Sequence, residues 1–202
     1  MTTEALFEQL KHPNPHMRER AMLELAEVRD EKTIPQLISI LDEEDVTYRR
    51  AAVKALGVIG PDAVSPTVEA LLNSDNVTVR GSCAKALAQI IINHPDMSFP
   101  LEGLQGLKTA INDPNPVVHI AAVMALGEMG SPAFDILLES LQTTDNVAVQ
   151  VVIANTLAAL GDERSVDVLT ALTTDESTDS YVRESAVSAL SRLELLSKNK
   201  RA

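Results

Sequence analysis

The sequence has few of the residues that build metal centres, disulfides and aromatic platforms. Cys83 is the single cysteine among 202 residues, tryptophan is absent, and aromatic residues make up 2% of the chain. One cysteine excludes an internal disulfide and a cysteine-rich zinc or iron–sulfur site. So few rings also argue against an aromatic platform that stacks the bases of single-stranded nucleic acid.

Basic residues are also in short supply. Asp and Glu number 29 against 17 Lys and Arg, which gives a formal net charge of -12. Nucleic acids and anionic lipids repel such a chain, so no nucleic acid partner is expected. No stretch approaches the roughly 20 apolar residues of a membrane-spanning helix, and the start MTTEALFEQL lacks the features of a targeting segment. The sequence therefore predicts no membrane span and a cytoplasmic location.

The hydrophobic fraction is nevertheless high, at 45%. Because it consists mostly of Ala, Leu, Val and Ile, the core is expected to form between closely packed helices. A self-similar pattern runs through the chain at successive intervals of 31, 31, 39, 31 and 33 residues. Its anchor position holds Arg18, Arg49, Arg80, His119, Gln150 and Arg183.

Each anchor lies within a predicted helix, and we call these six helices the first helices. Four residues before each anchor is a residue type that caps helix starts: Asn14, Asp45, Asn76, Asn115, Asn146 and Asp179. Seven residues after each anchor is a leucine: Leu25, Leu56, Leu87, Leu126, Leu157 and Leu190. A buried leucine contributes about 1.5 to 3 kcal/mol and a cap about 1 kcal/mol, so the leucines are expected to contribute most of the stability.

A second set of helices, the second helices, fills the intervals and ends on Leu10, Leu41, Leu72, Ile111, Leu141 and Leu172. The pattern predicts about 12 helices in antiparallel pairs, which stack because one pair cannot bury both of its apolar sides. We expect one domain, residues 1–202. It is divided into a cap at about 1–12, repeats at about 13–42, 43–73, 74–112, 113–142 and 143–174, and a C-terminal cap helix at about 175–202.

The interval of 39 residues contains an insertion of eight, which falls at residues 91–100. One interpretation is a longer turn whose apolar side chains fold back on the helices. The other is a protruding partner contact, because exposed loops often carry binding residues. The candidate contact residues are Ile92, His94, Met97 and Phe99.

The segment DVTYRRAAVKALG, which begins at Asp45, resembles a HEAT repeat of the short subclass named for phycobilisome lyases. The chain length and the segments MTTEALFEQLKHPNP and EGLQGLKTAINDPNPVVHIAAVMALGEMG are similar to those of small cyanobacterial HEAT-repeat proteins of phycobiliprotein maturation. The resemblance covers essentially the whole chain. It implies an all-α fold, a right-handed α-solenoid of HEAT-like antiparallel helix pairs. It also implies a lyase subunit or a chaperone-like helper for attaching bilin to phycoerythrin or phycocyanin.

In such arrays the second helices usually line the concave side, which makes their outward residues the candidate partner-binding strip. Projection at about 100° per residue gives a mostly small or acidic set without Lys or Arg. It comprises Glu8, Gln36, Ser39, Glu43, Thr67, Thr109, Asp113, Glu139, Asp167 and Thr170. The strip is either an ordinary solvated face or a groove for a basic protein surface. Since bilin propionates favour arginine, bilin contact is expected to be only indirect or transient.

Other chemistry-bearing residues suggest no catalytic site, cofactor or metal. The four histidines lack ligand spacing, and the His-Glu pairs of a HEAT-repeat di-iron hydroxylase are absent. Cys83 shares the register of Ala52 and Ala122, which predicts a buried inert thiol; the alternative is an exposed, transient bilin carrier. The anchor arginines are expected to form hydrogen bonds to Asp and Asn groups of neighbouring loops.

Three classes of function therefore remain. We favour a chaperone-like accessory protein or lyase subunit that binds a phycobiliprotein subunit, with a second HEAT-repeat lyase as a further partner. The alternatives are a lyase catalytic in its own right and a scaffold for an unrelated partner, such as an iron–sulfur assembly factor or a phycobilisome degradation factor.

Overall fold

The computed structural model of the protein describes the backbone of residues 2–200 and the side chains of residues 2–195. These residues form helices and connecting turns, with no strand among them. The helices are α1 (Thr3–Gln9), α2 (Pro15–Val28), α3 (Thr33–Ser39), α4 (Val46–Ile59), α5 (Val64–Asn73), α6 (Val77–Asn93), α7 (Leu101–Ala110), α8 (Pro116–Gly127), α9 (Phe134–Thr143), α10 (Val147–Leu160), α11 (Arg164–Thr174) and α12 (Ser180–Lys200). Short 3-10 turns at Ile40–Asp42, Gly60–Ala63 and Ser131–Ala133 lead out of or into second helices.

The chain divides into two compact units, Met1–Ala110 and Ile111–Ala202, here called unit 1 and unit 2. In unit 1 the first helices α2, α4 and α6 pack side by side, and the second helices α1, α3 and α5 pack against them. In unit 2 the first helices α8, α10 and α12 pack in the same way, with α9 and α11 against them. This arrangement confirms the predicted all-α fold of paired helices. The repeat boundaries remain predictions.

The six predicted helix caps all form. Each side-chain oxygen accepts a hydrogen bond from a backbone N–H two or three residues further on. In α8, for example, the Asn115 oxygen lies 2.9 Å from the amide nitrogen of Val117. Pro116 follows the cap at the first helical position, where its missing N–H leaves no bond unmade.

The predicted leucine stripe of the first helices forms the core. Leu25, Leu56, Leu87, Leu126 and Leu157 are 0% exposed. Leu190 is partly buried and packs against a cluster that includes Ala154 and Ala186. The leucines therefore occupy the places in which they were expected to contribute most of the stability.

The second helices follow their predicted pattern with one correction. Leu10, Leu41, Ile111 and Leu141 are buried, whereas Leu72 is 43% exposed and Leu71 is buried in its place. The prediction for Leu72 is wrong because the buried residues of α5, Thr67 and Leu71, follow Leu37 and Leu41 by 30 residues, whereas an interval of 31 residues was expected. One residue rotates a helical side chain by about 100°, which is enough to move it from the core to the surface.

Two glycines allow first helices to approach closely. A Cβ atom added to Gly57 on α4 would lie 2.5 Å from the Cβ of Gln89 on α6. A Cβ atom added to Gly127 on α8 would lie 2.6 Å from Cγ2 of Thr156 on α10. Real Cβ atoms essentially never come this close to another heavy atom, so any larger residue would push the two helices apart.

Candidate partner-binding surface

Most residues of the predicted strip face solvent on the second helices. In unit 1 the exposed members are Glu8, Gln36, Ser39, Glu43 and Thr109. In unit 2 Glu139, Asp167 and Thr170 are exposed, and Asp113 is partly exposed. These side chains are therefore available to a partner in each unit. Their assignment to partner binding remains a proposal.

Thr67 does not belong to this set, and its prediction is wrong. Its side chain is 0% exposed, and its hydroxyl oxygen has no hydrogen-bond partner. Thr67 occupies the register that leucine fills on the other second helices, at Leu37, Leu107, Leu137 and Leu169. The cause is the same shift of one residue that misplaced Leu72, and it turns this side of α5 inward.

Glu69 was missed for the same reason. It lies one residue before Ala70, which had been projected outward on α5, and its side chain is exposed. Aligning the second helices on their own apolar residues, and not on the anchors of the first helices, would have placed Glu69 on the outward side. We use "acidic strip" below for the exposed residues given above together with Glu69 and the partly exposed Asp113.

The acidic strip is not free of cations in unit 1. The ammonium of Lys11 lies 2.8 Å from a carboxylate oxygen of Glu8 and 5.0 Å from the ring centroid of Tyr48. The hydrogen bond that Lys11 donates to Glu8 raises the pKa of Lys11, so the lysine stays charged and offsets the charge of Glu8. Glu43 and Glu69 form no ion pair with any described residue. They are therefore the carboxylates that a basic partner can reach in unit 1.

In unit 2 an arginine neutralises part of the acidic surface. The guanidinium of Arg164 lies 2.8 Å from Asp162, 3.1 Å from Asp135 and 4.0 Å from the Phe134 ring centroid. The hydrogen bonds from Arg164 lower the pKa of Asp162 to about 2. Within the described residues, Glu139 and Asp167 have no ion-pair partner, which leaves both carboxylates available.

The anchor residues donate hydrogen bonds to backbone carbonyl groups, and among these bonds the one from Arg80 to the carbonyl oxygen of Asp75 reaches an Asp group, the kind of partner that was expected. The guanidinium of Arg18 donates to the carbonyl oxygen of Pro13 at 2.9 Å, and that of Arg80 donates to Ser74 at 3.0 Å. The other anchors bond in the same way to the loop before their own helix: Arg49 to Glu43, Gln150 to Thr144, and Arg183 to Thr178. These five anchors thus satisfy backbone carbonyl groups of the loop that leads into their own helix.

His119 departs from this pattern. Its side chain is 8% exposed, and its Nε2 lies 3.0 Å from the hydroxyl oxygen of Ser140 on α9. Burial lowers the pKa of His119, although the nearby carboxylate of Asp113 acts in the opposite direction. The bond joins α8 to α9, so His119 has a structural role at a position that arginine or glutamine fills in the other repeats.

Cys83 is a buried thiol, as its register predicts. It is 0% exposed on α6, and burial raises its pKa to about 12. A thiol of this kind stays protonated near neutral pH and is a poor nucleophile.

The eight-residue insertion folds back on unit 1. Nε2 of His94 lies 3.2 Å from the carbonyl oxygen of Gly57, and its ring fills the space beside Gly60, whose φ of 80° suits glycine. The ring of Phe99 packs against Gly103 of α7. The contacts of His94 and Phe99 therefore favour a longer turn that folds back on the helices over a protruding partner contact. Met97 is partly buried and Ile92 is 47% exposed, so of the four candidate contacts Ile92 is the most accessible.

The described residues offer neither a metal site nor a membrane-spanning helix. In the described part of the chain, no group of three or more His, Cys, Asp or Glu is placed to hold a metal ion. Among the same residues, no helix has both the length and the apolar character that crossing a membrane requires.

Comparison with known proteins agrees with the helical repeat. The family of HEAT repeats matches residues 3–97 and 104–191. The chain belongs to the HEAT-repeat family. Among the relatives of this HEAT-repeat chain, phycocyanin operon protein Z of Pseudanabaena tenuis (strain PCC 7409), itself uncharacterized, is 57% identical over 201 residues and covers 100% of both chains. The bilin biosynthesis protein CpeZ of Synechococcus sp. (strain WH8020) is 31% identical over 182 residues, covering 87% of this chain and 97% of CpeZ.

Solved structures show the same fold. The complex of CpcE and CpcF of phycocyanin lyase from Nostoc sp. PCC7120 matches with a TM-score of 0.53 and 22% identity, over 76% of this chain and 96% of that one. A computationally designed armadillo repeat protein for modular peptide recognition matches with a TM-score of 0.50 and 18% identity, over 95% and 99%. At these identities the two likenesses establish the fold alone.

Proposed function

We propose that this HEAT-repeat protein binds a phycobiliprotein subunit and assists the attachment of its bilin, as a chaperone-like accessory protein or lyase subunit. The observation that carries the proposal is the near full-length relationship to the bilin biosynthesis protein CpeZ, at 31% identity. The relationship to phycocyanin operon protein Z, at 57% identity over the whole chain, supports the same process.

The acidic strip supports a protein client. Glu43 and Glu69 in unit 1, and Glu139 and Asp167 in unit 2, are exposed carboxylates without ion pairs among the described residues. These carboxylates are complementary in charge to lysine and arginine side chains on a client, and such complementarity favours association in the correct orientation. The strip offers no free cation for bilin propionates, so it is suited to the protein and not to the pigment.

The function is tested by co-expressing the chain with an apo-phycobiliprotein subunit and bilin synthesis enzymes, with and without a second HEAT-repeat lyase. Soluble subunit and covalently bound bilin are measured separately. More soluble subunit without a new bilin bond supports a chaperone-like role, and attachment only with the second lyase supports a lyase subunit. Attachment by this chain alone identifies a lyase in its own right. No effect on several subunits contradicts the proposal and favours a general scaffold.

The surface is tested with charge reversals made separately in each unit. We expect Glu43→Lys with Glu69→Lys, or Glu139→Lys with Asp167→Lys, to weaken binding of the client subunit. Glu27→Lys with Glu184→Lys is a matched control, because both residues are exposed on first helices and the charge change is the same. Circular dichroism should show unchanged helicity in all variants. If the control and strip variants weaken binding equally, the effect is one of net charge and the strip is not the interface.

A further inference from the structure

A groove on the opposite kind of helix carries a charge unlike that of the rest of the protein. It lies in unit 1 between the first helices α2 and α4, reaches α6, and has a volume of about 500 Å³. Its lining includes Met22 and Leu23 of α2 and Val58 of α4. Leu23 is 53% exposed, so the groove presents an apolar side chain to solvent.

Three cations line this groove: Arg18 of α2, whose guanidinium donates to backbone carbonyl groups, and two residues of α4. Arg50 and Lys54 line it, are exposed, and stand one helical turn apart. Neither forms an ion pair or a side-chain hydrogen bond with another described residue. Like charges at this spacing destabilise a helix by a few tenths of a kcal/mol, so the pair is unfavourable until an anion lies against it.

The positive character extends beyond the groove. Neither α4 nor α6 contains a single Asp or Glu, although the whole chain has a net charge of -12. Lys85 on α6 is exposed and continues the basic face past the groove. Glu19 of α2 is the one acidic residue in the lining, and it lies 4.0 Å from His16. The basic face is therefore larger than the binding site of a single small carboxylate ligand.

We propose that the α2–α4 groove is a docking site for an acidic amphipathic helix of a second protein. Apolar side chains of that helix lie over Leu23 and Val58, and two carboxylates one turn apart meet Arg50 and Lys54. The match follows from geometry, because residues four apart on both helices are about 5–6 Å apart. Nucleic acid is the weaker occupant, since the chain as a whole repels it and no aromatic residue lines the groove.

This inference goes beyond the proposed function, because it uses no residue of the acidic strip. The strip would hold a client with basic residues, while the groove would hold a partner with acidic ones. The protein would then bring two partners of opposite charge together on different faces of its helices in unit 1. Either binding site can be disproved without affecting the other.

The probe is a fluorescent synthetic peptide of about 18 residues, long enough to hold a helix, with an apolar stripe flanked by glutamates four apart. Binding is measured by fluorescence anisotropy with the full chain. We expect the acidic peptide to bind, and its affinity to fall when salt rises from about 0.1 M to about 1 M. A peptide with lysine in place of glutamate should not bind.

Two variants locate the site. Arg50→Glu with Lys54→Glu should lower the affinity for the acidic peptide at least about tenfold and allow the lysine peptide to bind instead. Arg20→Glu with Lys32→Glu makes the same charge change at exposed residues outside the groove, and should keep the affinity within about twofold. Leu23→Ser should lower the affinity for the acidic peptide without changing how that affinity depends on salt. All replaced side chains are exposed, so equal helicity by circular dichroism is expected.

Several outcomes would overturn the proposal. One is that the acidic peptide fails to bind the wild-type chain. Another is that the groove variant and the control variant lose affinity equally. A third is that a single-stranded oligonucleotide of the same charge binds more tightly than the peptide, which would make the face a nucleic acid surface.

Discussion

The buried hydroxyl of Thr67 leads to the prediction that removing it will stabilise the protein. Valine has the same shape and the same restricted side-chain rotamers as threonine, and their helix propensities are similar. Thr67→Val therefore exchanges a buried hydroxyl without a hydrogen-bond partner for a methyl group, in a register that leucine fills elsewhere. An unpaired buried polar group costs about 1–3 kcal/mol.

We expect the free energy of unfolding to rise by about 1–2 kcal/mol in Thr67→Val. For a chain of this size the melting temperature should then rise by about 2–8 °C. Urea denaturation and thermal melts followed by circular dichroism measure both quantities. Hydrogen exchange should show the added protection in unit 1, where Thr67 lies.

Two controls separate the hydroxyl from other effects. Thr67→Ser keeps the hydroxyl and removes the methyl group, so it should destabilise the protein. Thr109→Val replaces an exposed threonine whose hydroxyl donates to the carbonyl oxygen of Gln105 at 3.0 Å, and it should give no comparable gain. A neutral or destabilising Thr67→Val would refute the reasoning, because it would mean that the hydroxyl is satisfied in solution.

Other substitutions test the packing of the helices, all by urea denaturation. Leu126→Ala should cost about 2–5 kcal/mol, because the side chain is fully buried, whereas loss of the cap in Asn115→Ala should cost about 1 kcal/mol; a reversed order would contradict this ranking. Gly57→Ala should destabilise by about 1–3 kcal/mol despite the better helix propensity of alanine, since its Cβ would lie 2.5 Å from that of Gln89, and a gain would show that the helices move apart freely. Burial lowers the pKa of His119, so the unfolded chain binds a proton below about pH 6.5 that the native protein takes up only at lower pH. The free energy of unfolding should therefore decrease on acidification, and the decrease should be smaller in His119→Gln. An identical pH dependence of the two proteins would contradict this role of His119.

The features predicted well from the sequence are those that recur. Asn115 and Leu126 stand in registers that repeat six times, so a single period locates the helix starts and the core of the first helices together. The second helices were harder, because their spacing depends on the turn before them. The buried residues of α5, which follows the turn Gly60–Ala63, come 30 residues after those of α3 instead of 31, and that sufficed to misplace both Thr67 and Leu72.

Hydrogen-bond targets and grooves could not be read from the period. The spacing shows that arginine recurs at the register of Arg80, but not that the guanidinium of Arg80 donates to the carbonyl oxygen of Ser74. Leu23 and Lys54 are far apart in the sequence and meet only because α2 packs beside α4. Charge summed over the whole chain also hid the basic face, since the acidic residues elsewhere outnumber its cations.

Cys83 makes the protein unusually convenient for site-directed labelling. It is the only thiol in the sequence, and it is both fully buried and protonated at neutral pH. A maleimide reagent should therefore leave the wild-type chain unmodified and react with a single cysteine introduced at an exposed residue. Dyes or crosslinkers at position 139 and at position 54 could then report on the strip and the groove separately, with the native cysteine left in place.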